Sequence, residues 1–422
     1  MGRPSVIHLS HASPVHTEYI PSPLSRDSKQ QNYRGFLNLA ILLLFVNNFR
    51  LIFENYIKYG FLISVPGKYV PTEDWIFGAV IIAELFANLF SSYFIERQFV
   101  NKKLSNSSHS MLCFISTFTP LIFSTIIIWN YISHPTVGCV VLMLSITLFL
   151  KLASYHLVNA DLLKGKIDEK MYEKCIYPKN ITFKNILYFW FVPSLCYQPV
   201  YPQIPQFRKS FFAKRLFEFF SCTFMVYFLI EQYAIPTVRN SLKSMDEKNL
   251  GAILERLLKL SISSLYIWLL LFFAFFHSFL NALAEILKFA DRSFYQDWWN
   301  ARTIDEYWRL WNSPVHNWFK RHLYYPLRGL KVSPRISQFA IFLFSAIFHE
   351  YIIAVPIKMV RFWAFFGMLF QIPLIQITSM YIKYRPNSSF GNYLFWITFC
   401  IFGQPMCVLL YYRAWYNKDI GL

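Results

Sequence analysis

Residues 345–353 read SAIFHEYII, a histidine and a glutamate side by side in an otherwise apolar run. The apolar stretch around them extends over 336–356, and about 20 apolar residues in a helix cross a hydrocarbon core of roughly 30 Å. An ionisable side chain at that depth is costly to keep, so His349 and Glu350 call for a chemical reason.

The rest of the chain repeats the apolar pattern. Of 422 residues, 55% are hydrophobic and 15% charged, against about 25% charged in an ordinary soluble domain. The 45 Phe, 27 Tyr and 12 Trp suit helices whose ends lie in wet interfaces. Further spans are predicted near 35–55, 75–95, 111–131, 136–157, 215–236, 257–283, 360–382 and 391–412, making nine with the histidine span. The fold class expected is therefore all-α, a polytopic membrane protein with about nine transmembrane helices. The run FKNILYFWFVPSLCYQ (183–198) is too short to cross and contains Pro193, so it reads as interfacial or re-entrant.

Residues 1–34 form a polar tail without an apolar core or cleavage pattern, so no removable signal peptide is expected. Residues 35–422 read as one membrane-embedded domain, with no internal repeat or linker dividing it. Orientation follows the cations. Arg3, Arg26, Lys29 and Arg34 of the tail fall on the same side as Arg97, Lys102 and Lys103 and the long segments 158–214 and 284–335. That side is taken as cytosolic, although Arg239, Lys243 and Lys248 run against the trend, and nine spans place the carboxyl terminus in the lumen. The sequons at Asn106, Asn180 and Asn387 then face the cytosol and are expected to carry no sugar.

A net charge of +18 spread beside membrane spans is explained by orientation, so no nucleic-acid partner is expected. Seven cysteines show no metal-binding spacing, and no metal is expected. HEYII lacks the second histidine of a zinc-hydrolase HExxH, and no G-x-S-x-G nucleophile elbow occurs.

The segment DRSFYQDWWNARTIDEYWRLWNSPVHNWFKRHLYYP (291–326) precedes the histidine span. Thr303 followed by Glu306 fits a capping box and predicts a helix over 304–312. Ser313 before Pro314 predicts a second helix over 314–323. Ile304, Trp308 and Trp311 share one face of the first, and Val315, Trp318 and His322 one face of the second. Basic, Trp-rich helices of this kind lie along the headgroup boundary, which leaves Asn312 and the acid of DWWN without a role.

Out of water an imidazole favours its neutral form, the form a general base needs. Elsewhere in the spans, His277, Asn281 and Glu285 repeat at one-turn spacing, as do Glu84 and Asn88. They either bond between helices or wall a polar chamber around His349. Glu350 points about 100° away from His349 around the helix and is expected to pair with another helix.

FYQDWWN (294–300) resembles the signature of the membrane-bound O-acyltransferases, in the branch that acylates sterols and diacylglycerol, with Phe294, Tyr295, Asp297, Trp298, Trp299 and Asn300 in its positions. PVHNWFKRHLYYP (314–326), FHEYIIAVP (348–356), GMLFQIP (367–373), FGQPMCVLLYY (402–412) and the stretch 32–60 are similar to the diacylglycerol-acylating members. The likeness departs in 158–176 and 327–337.

The resemblance implies an oligomeric enzyme of the endoplasmic reticulum, a homodimer or homotetramer, that makes triacylglycerol from diacylglycerol and acyl-CoA in an intramembrane chamber. Acyl-CoA is a co-substrate, and no cofactor is implied. Role by role it implies His349 as base, with Asn312 and Gln404 at the reaction centre. Met368 and Gln371 would border the acyl and glycerolipid channels, and Trp308 and Tyr324 would stand at the CoA mouth. Trp311, Ser345 and Arg335 would complete the substrate contacts, and Lys320, Arg321, Arg328, Lys331 and Arg335 are the cations available to CoA phosphates. The alternatives are a sterol or fatty-alcohol acyltransferase on the same scaffold, or a lipid transporter or scramblase whose polar residues line a pathway.

Overall fold

The computed structural model describes residues 34–165, 177–386 and 388–419. The polar tail before residue 34, most of the divergent loop at 158–176 and the sequon at Asn387 lie outside the described residues. The chain forms two compact units, Met1–Leu62 and Ile63–Leu422. The first contributes α1 (Arg34–Tyr59), 26 residues with none buried. A helix apolar all round that hides nothing is suited to lipid.

The second unit begins with three long helices, α2 (Thr72–Val100), α3 (Asn106–Tyr131) and α4 (Pro135–Leu163). Their seams are lined by small polar side chains, which let backbones approach and bond between helices where lipid offers no hydrophobic drive. The Ser92 and Ser116 hydroxyls lie 2.5 Å apart, those of Ser124 and Ser145 2.6 Å apart, and Asn88 donates to the Ser116 carbonyl at 3.0 Å. These bonds carry Asn88 into a helix seam rather than into a chamber.

α5 (Phe183–Phe191) is short, as its sequence predicts, and ends before Pro193. The fully buried Lys151 of α4 closes it by donating to the carbonyls of Phe189, Trp190 and Val192 at 2.7, 3.0 and 2.7 Å. α6 runs over Lys209–Leu229, through a π turn at Ile230–Ala234, into Ile235–Asp246. It packs against α7, which covers Leu250–Ile286 with a π stretch at Phe273–Phe279.

Eight helices among the described residues are long and apolar enough to cross a membrane. The ninth predicted span, 215–236, falls in α6, long enough but less apolar because Lys209, Lys214, Arg215 and Glu218 occupy its first turns. The most buried of these charges is paired: Arg215 meets Glu218 at 3.1 Å and also bonds His277. Pairing is how a charged helix survives at membrane depth.

The remaining helices are α8 (Ile304–Leu310), α9 (Ser313–Phe319, continued through a π turn into Tyr325–Gly329), α10 (Pro334–Ala354), α11 (Trp363–Leu369), α12 (Gln371–Tyr384) and α13 (Phe390–Phe395, a π stretch Trp396–Gly403, then Gln404–Asp419). No strand occurs among the described residues, only an isolated bridge between Gln203 and Phe289.

Candidate active site

α10 carries the histidine. Its start is set by Ser333, whose hydroxyl accepts from the Ile336 amide at 3.3 Å, and by Pro334 in the first turn. Phe342 and Ser345 stand seven and four positions before His349, so the three share one stripe of the helix. His349 Nδ1 lies 2.8 Å from the Ser345 carbonyl oxygen and 3.3 Å from its hydroxyl. A carbonyl can only accept, so Nδ1 carries a proton, and in the neutral ring the lone pair is then at Nε2.

The rest of α10 is held rigidly. Phe344 and Phe348 stack at 4.6 Å, and Phe348 meets Phe149 of α4 at 5.7 Å. The Tyr351 hydroxyl lies 2.5 Å from that of Thr125 and donates to the Leu121 carbonyl at 3.1 Å, fixing α10 to α3.

Glu350 is 5% exposed and faces away from the stripe. Its carboxylate accepts from the amides of Arg361, Phe362 and Phe365 at 3.0, 2.8 and 3.4 Å, and from the Tyr411 hydroxyl at 2.5 Å. The Phe362 backbone lies in the left-handed region, φ +61°, where α11 begins. Glu350 therefore clasps α10 to α11 and α13. Pairing with another helix was expected; its partner, Tyr411, stands inside FGQPMCVLLYY without any local mark of that role.

The signature stretch scaffolds Asn312. Phe294 and Trp298, each 2% exposed, are core residues, whereas Asp297, Trp299 and Asn300 are exposed. The Phe294 carbonyl accepts from the Ser313 amide at 3.0 Å, and the Gln296 amide donates to the Leu310 carbonyl at 2.8 Å. These two bonds pin the corner 310–313, and Tyr295 bonds His277 of α7 at 2.7 Å.

At that corner the N-cap of α9 is Asn312, one residue before the expected Ser313: its side-chain oxygen accepts from Val315 N at 3.2 Å. With Oδ1 so committed, the Asn312 amide nitrogen is the end of the side chain outside the cap. α8 begins as predicted, capped by Thr303 at 3.1 Å from the Glu306 amide, and ends at Leu310 instead of 312.

The tryptophans here do more than lie at a headgroup boundary. Trp318, 6% exposed, donates to the Leu150 carbonyl at 2.8 Å, and His322 Nε2 lies 2.8 Å from the Ser154 hydroxyl, so α9 docks on α4. Burial, then the neighbouring Arg321, lowers the His322 pKa to about 4; burial also lowers that of His316. Trp311 packs edge-on to Phe276 of α7 at 5.6 Å. Trp308 stands edge-on to Phe342 at 6.4 Å and to Phe399 of α13 at 6.2 Å. α8, the histidine stripe of α10 and α13 thus meet around Trp308.

Gln404 begins the last segment of α13, after a glycine that no other residue could replace in place, since a Cβ on Gly403 would sit 2.5 Å from the Thr398 carbonyl oxygen. Gln404 Oε1, Trp308 Nε1 and Ser313 Oγ are buried without a hydrogen-bond partner. Buried polar atoms are seldom left so, and a bound substrate can satisfy them.

Met368 and Gln371 are buried at 6% and 8% exposure around the α11–α12 junction. Tyr324 is half-buried in the π turn of α9, beside Tyr325 at 5.9 Å, and Arg335 is exposed on the first turn of α10. Of the other cations, Arg321 donates to the Tyr197 carbonyl at 2.9 Å and lines a cleft of about 410 Å³ with Phe294, Asn317, Ser194 and Gln198. Arg328 donates to the Val332 carbonyl at 2.5 Å, and Lys320 sits over the Tyr325 ring at 5.6 Å.

His277, Asn281 and Glu285 do not join this group. His277 bonds Arg215 and Tyr295, Asn281 donates back to the His277 carbonyl at 2.7 Å, and Glu285 takes Arg208 and Arg292 at 2.8 and 2.5 Å. Of the two readings, bonding within and between elements is the one realised.

The sequence model of the membrane-bound O-acyltransferase family matches residues 112–412. The chain is 40% identical to diacylglycerol O-acyltransferase 1A of Glycine max over 99% of its length and 84% of that protein's. It is likewise 40% identical to diacylglycerol O-acyltransferase 1 of Arabidopsis thaliana, with 99% and 78% covered, and to diacylglycerol O-acyltransferase 1-2 of Oryza sativa subsp. japonica, with 97% and 87% covered.

Proposed function

Because the chain belongs to the membrane-bound O-acyltransferase family, we propose that it moves a fatty acyl group from acyl-CoA to the free hydroxyl of diacylglycerol, forming triacylglycerol. The observation that carries the mechanism is the 2.8 Å bond from His349 Nδ1 to the Ser345 carbonyl, which in the neutral ring puts the lone pair at Nε2. Nε2 takes the proton of the acceptor hydroxyl as its oxygen attacks the thioester carbon. The tetrahedral intermediate collapses, the C–S bond breaks, and the departing CoA sulfur takes the proton back from Nε2.

Base catalysis of this kind typically contributes about 10²–10⁴-fold. The charge developing on the thioester oxygen needs a fixed donor, and the amides of Asn312 and Gln404 are suited to supply it. Trp308, Trp311, Tyr324 and Ser345 line the substrate path, with Met368 and Gln371 toward the lipid chains and Arg335 toward the CoA phosphates. We place the enzyme in the endoplasmic reticulum membrane as a homodimer or homotetramer, amino terminus cytosolic and carboxyl terminus lumenal. No acyl-enzyme is required, so the kinetics are sequential.

The test is purified protein in nanodiscs with radiolabelled oleoyl-CoA, offered diacylglycerol, cholesterol or a long-chain alcohol, with His349→Ala alongside. Label in triacylglycerol for wild type but not the variant supports acceptor and base together. Label only in the sterol ester keeps the chemistry and overturns the acceptor. Lipid movement between leaflets that survives His349→Ala, with no acceptor labelled, overturns the enzyme reading.

A further inference from the structure

Away from the histidine stripe, four buried side chains converge from three helices. Glu96 near the end of α2 is 1% exposed, His109 and Cys113 one turn apart on α3 are each 9% exposed, and His156 of α4 is 7% exposed. His109 Nε2 lies 3.2 Å from Glu96 Oε2 and 3.3 Å from Cys113 Sγ, and Cys113 Sγ lies 3.7 Å from Glu96 Oε1. One donor atom from each of Glu96, His109 and Cys113 falls within 4.8 Å of the others.

With Glu96 Oε2 as the carboxylate donor, its 3.2 Å and the Cys113 Sγ 3.3 Å separations from His109 Nε2 are close to those of a recognisable geometry. Ligands held about 2.0–2.3 Å from a tetrahedral metal stand about 3.3–3.8 Å from one another. A hydrogen-bonded network explains the cluster less fully, because the single Nε2 proton of His109 serves only one of its two close neighbours well.

We propose that Glu96, His109 and Cys113 bind a zinc ion. The mixed O, N and S donor set suits zinc, whereas calcium and magnesium take oxygen ligands. Binding deprotonates the Cys113 thiol and releases one proton; the Zn²⁺ charge is then balanced by one thiolate and one carboxylate, and a water molecule completes the tetrahedron. His156 Nδ1, 2.6 Å from Glu96 Oε1, holds the carboxylate so that Oε2 turns toward His109. The Phe99 ring stacks on the His109 imidazole at 3.9 Å and covers its outer face. The ion would tie α2, α3 and α4 together where the loop 101–105 joins the first two.

Full-length protein purified through a non-histidine tag, loaded with zinc and dialysed against a weak chelator, should keep about one zinc per chain by elemental analysis. Cys113→Ser and His109→Gln should each lower that content roughly tenfold, while Cys139→Ser on α4 should not. Cobalt loaded into wild type should give a thiolate-to-cobalt charge-transfer band, a readout that needs no variant to fold. Zinc that neither substitution removes, absence of the cobalt band, or zinc lost on dialysis from wild type would each overturn the site.

Discussion

The proposed role of His349 rests on one hydrogen bond, and its neighbours sort by what they leave free. His349→Ala should lower kcat about 10²–10⁴-fold with an unchanged melting profile, read by acyl transfer and by thermal unfolding in the same preparation. Asn312 caps α9 through Oδ1, and in the proposed reaction its amide nitrogen is the oxyanion donor. Asn312→Ala loses both, at about 1 kcal/mol of cap stability and roughly 10²–10³-fold in rate. Asn312→Ser keeps an oxygen for Val315 N but not the amide, so stability should return while the rate stays low. Recovery of both would place Asn312 in the scaffold alone. Glu350 behaves oppositely: Tyr411→Phe removes a donor from a buried carboxylate and should cost about 1.5–3 kcal/mol, seen as a lowered unfolding temperature, with kcat per folded molecule retained.

At the scale of the element, helix starts were readable and helix partners were not. Thr303 marks the start of α8 in the sequence because a cap is a bond to a residue three positions away. The shift of the α9 cap from Ser313 to Asn312 is one residue, the distance by which helix boundaries ordinarily differ. That α9 docks on α4 through Trp318 and His322 depends on residues 168 positions away in the chain.

This docking has a consequence for pH. With its folded pKa at about 4, below the usual 6.5, His322 binds its proton more readily in the undocked chain. The stability from neutral His322 is therefore complete above pH about 6.5 and is lost as pH falls toward about 4, by at most ~3 kcal/mol. His322→Asn should flatten that acid limb in a proteolysis assay across the same window.

At the scale of the molecule, the number of crossings decides where the carboxyl terminus lies. The eight apolar helices among the described residues give an even count, and α6 as a ninth gives an odd one. A glycosylation tag appended to the carboxyl terminus should therefore be modified and an amino-terminal one not; both unmodified would remove α6 from the membrane. Among the natural sequons, Asn180 is 1% exposed and bonded to Asn159 and Tyr197, so an unmodified Asn180 would say nothing about sidedness, whereas exposed Asn106 would report it.

Local information in the sequence determined most of the apolar spans, the short α5 and the cap of α8, since each depends on residues within a turn or two. Tertiary structure alone decided that Glu350 is a clasp, that His277 and Glu285 pair with arginines of 215 and 208, that Trp298 is core, and that Glu96 meets His109, Cys113 and His156. The physical reason is the same in each case: a polar group in lipid must find a partner, but which helix supplies it is settled by packing across tens to hundreds of residues.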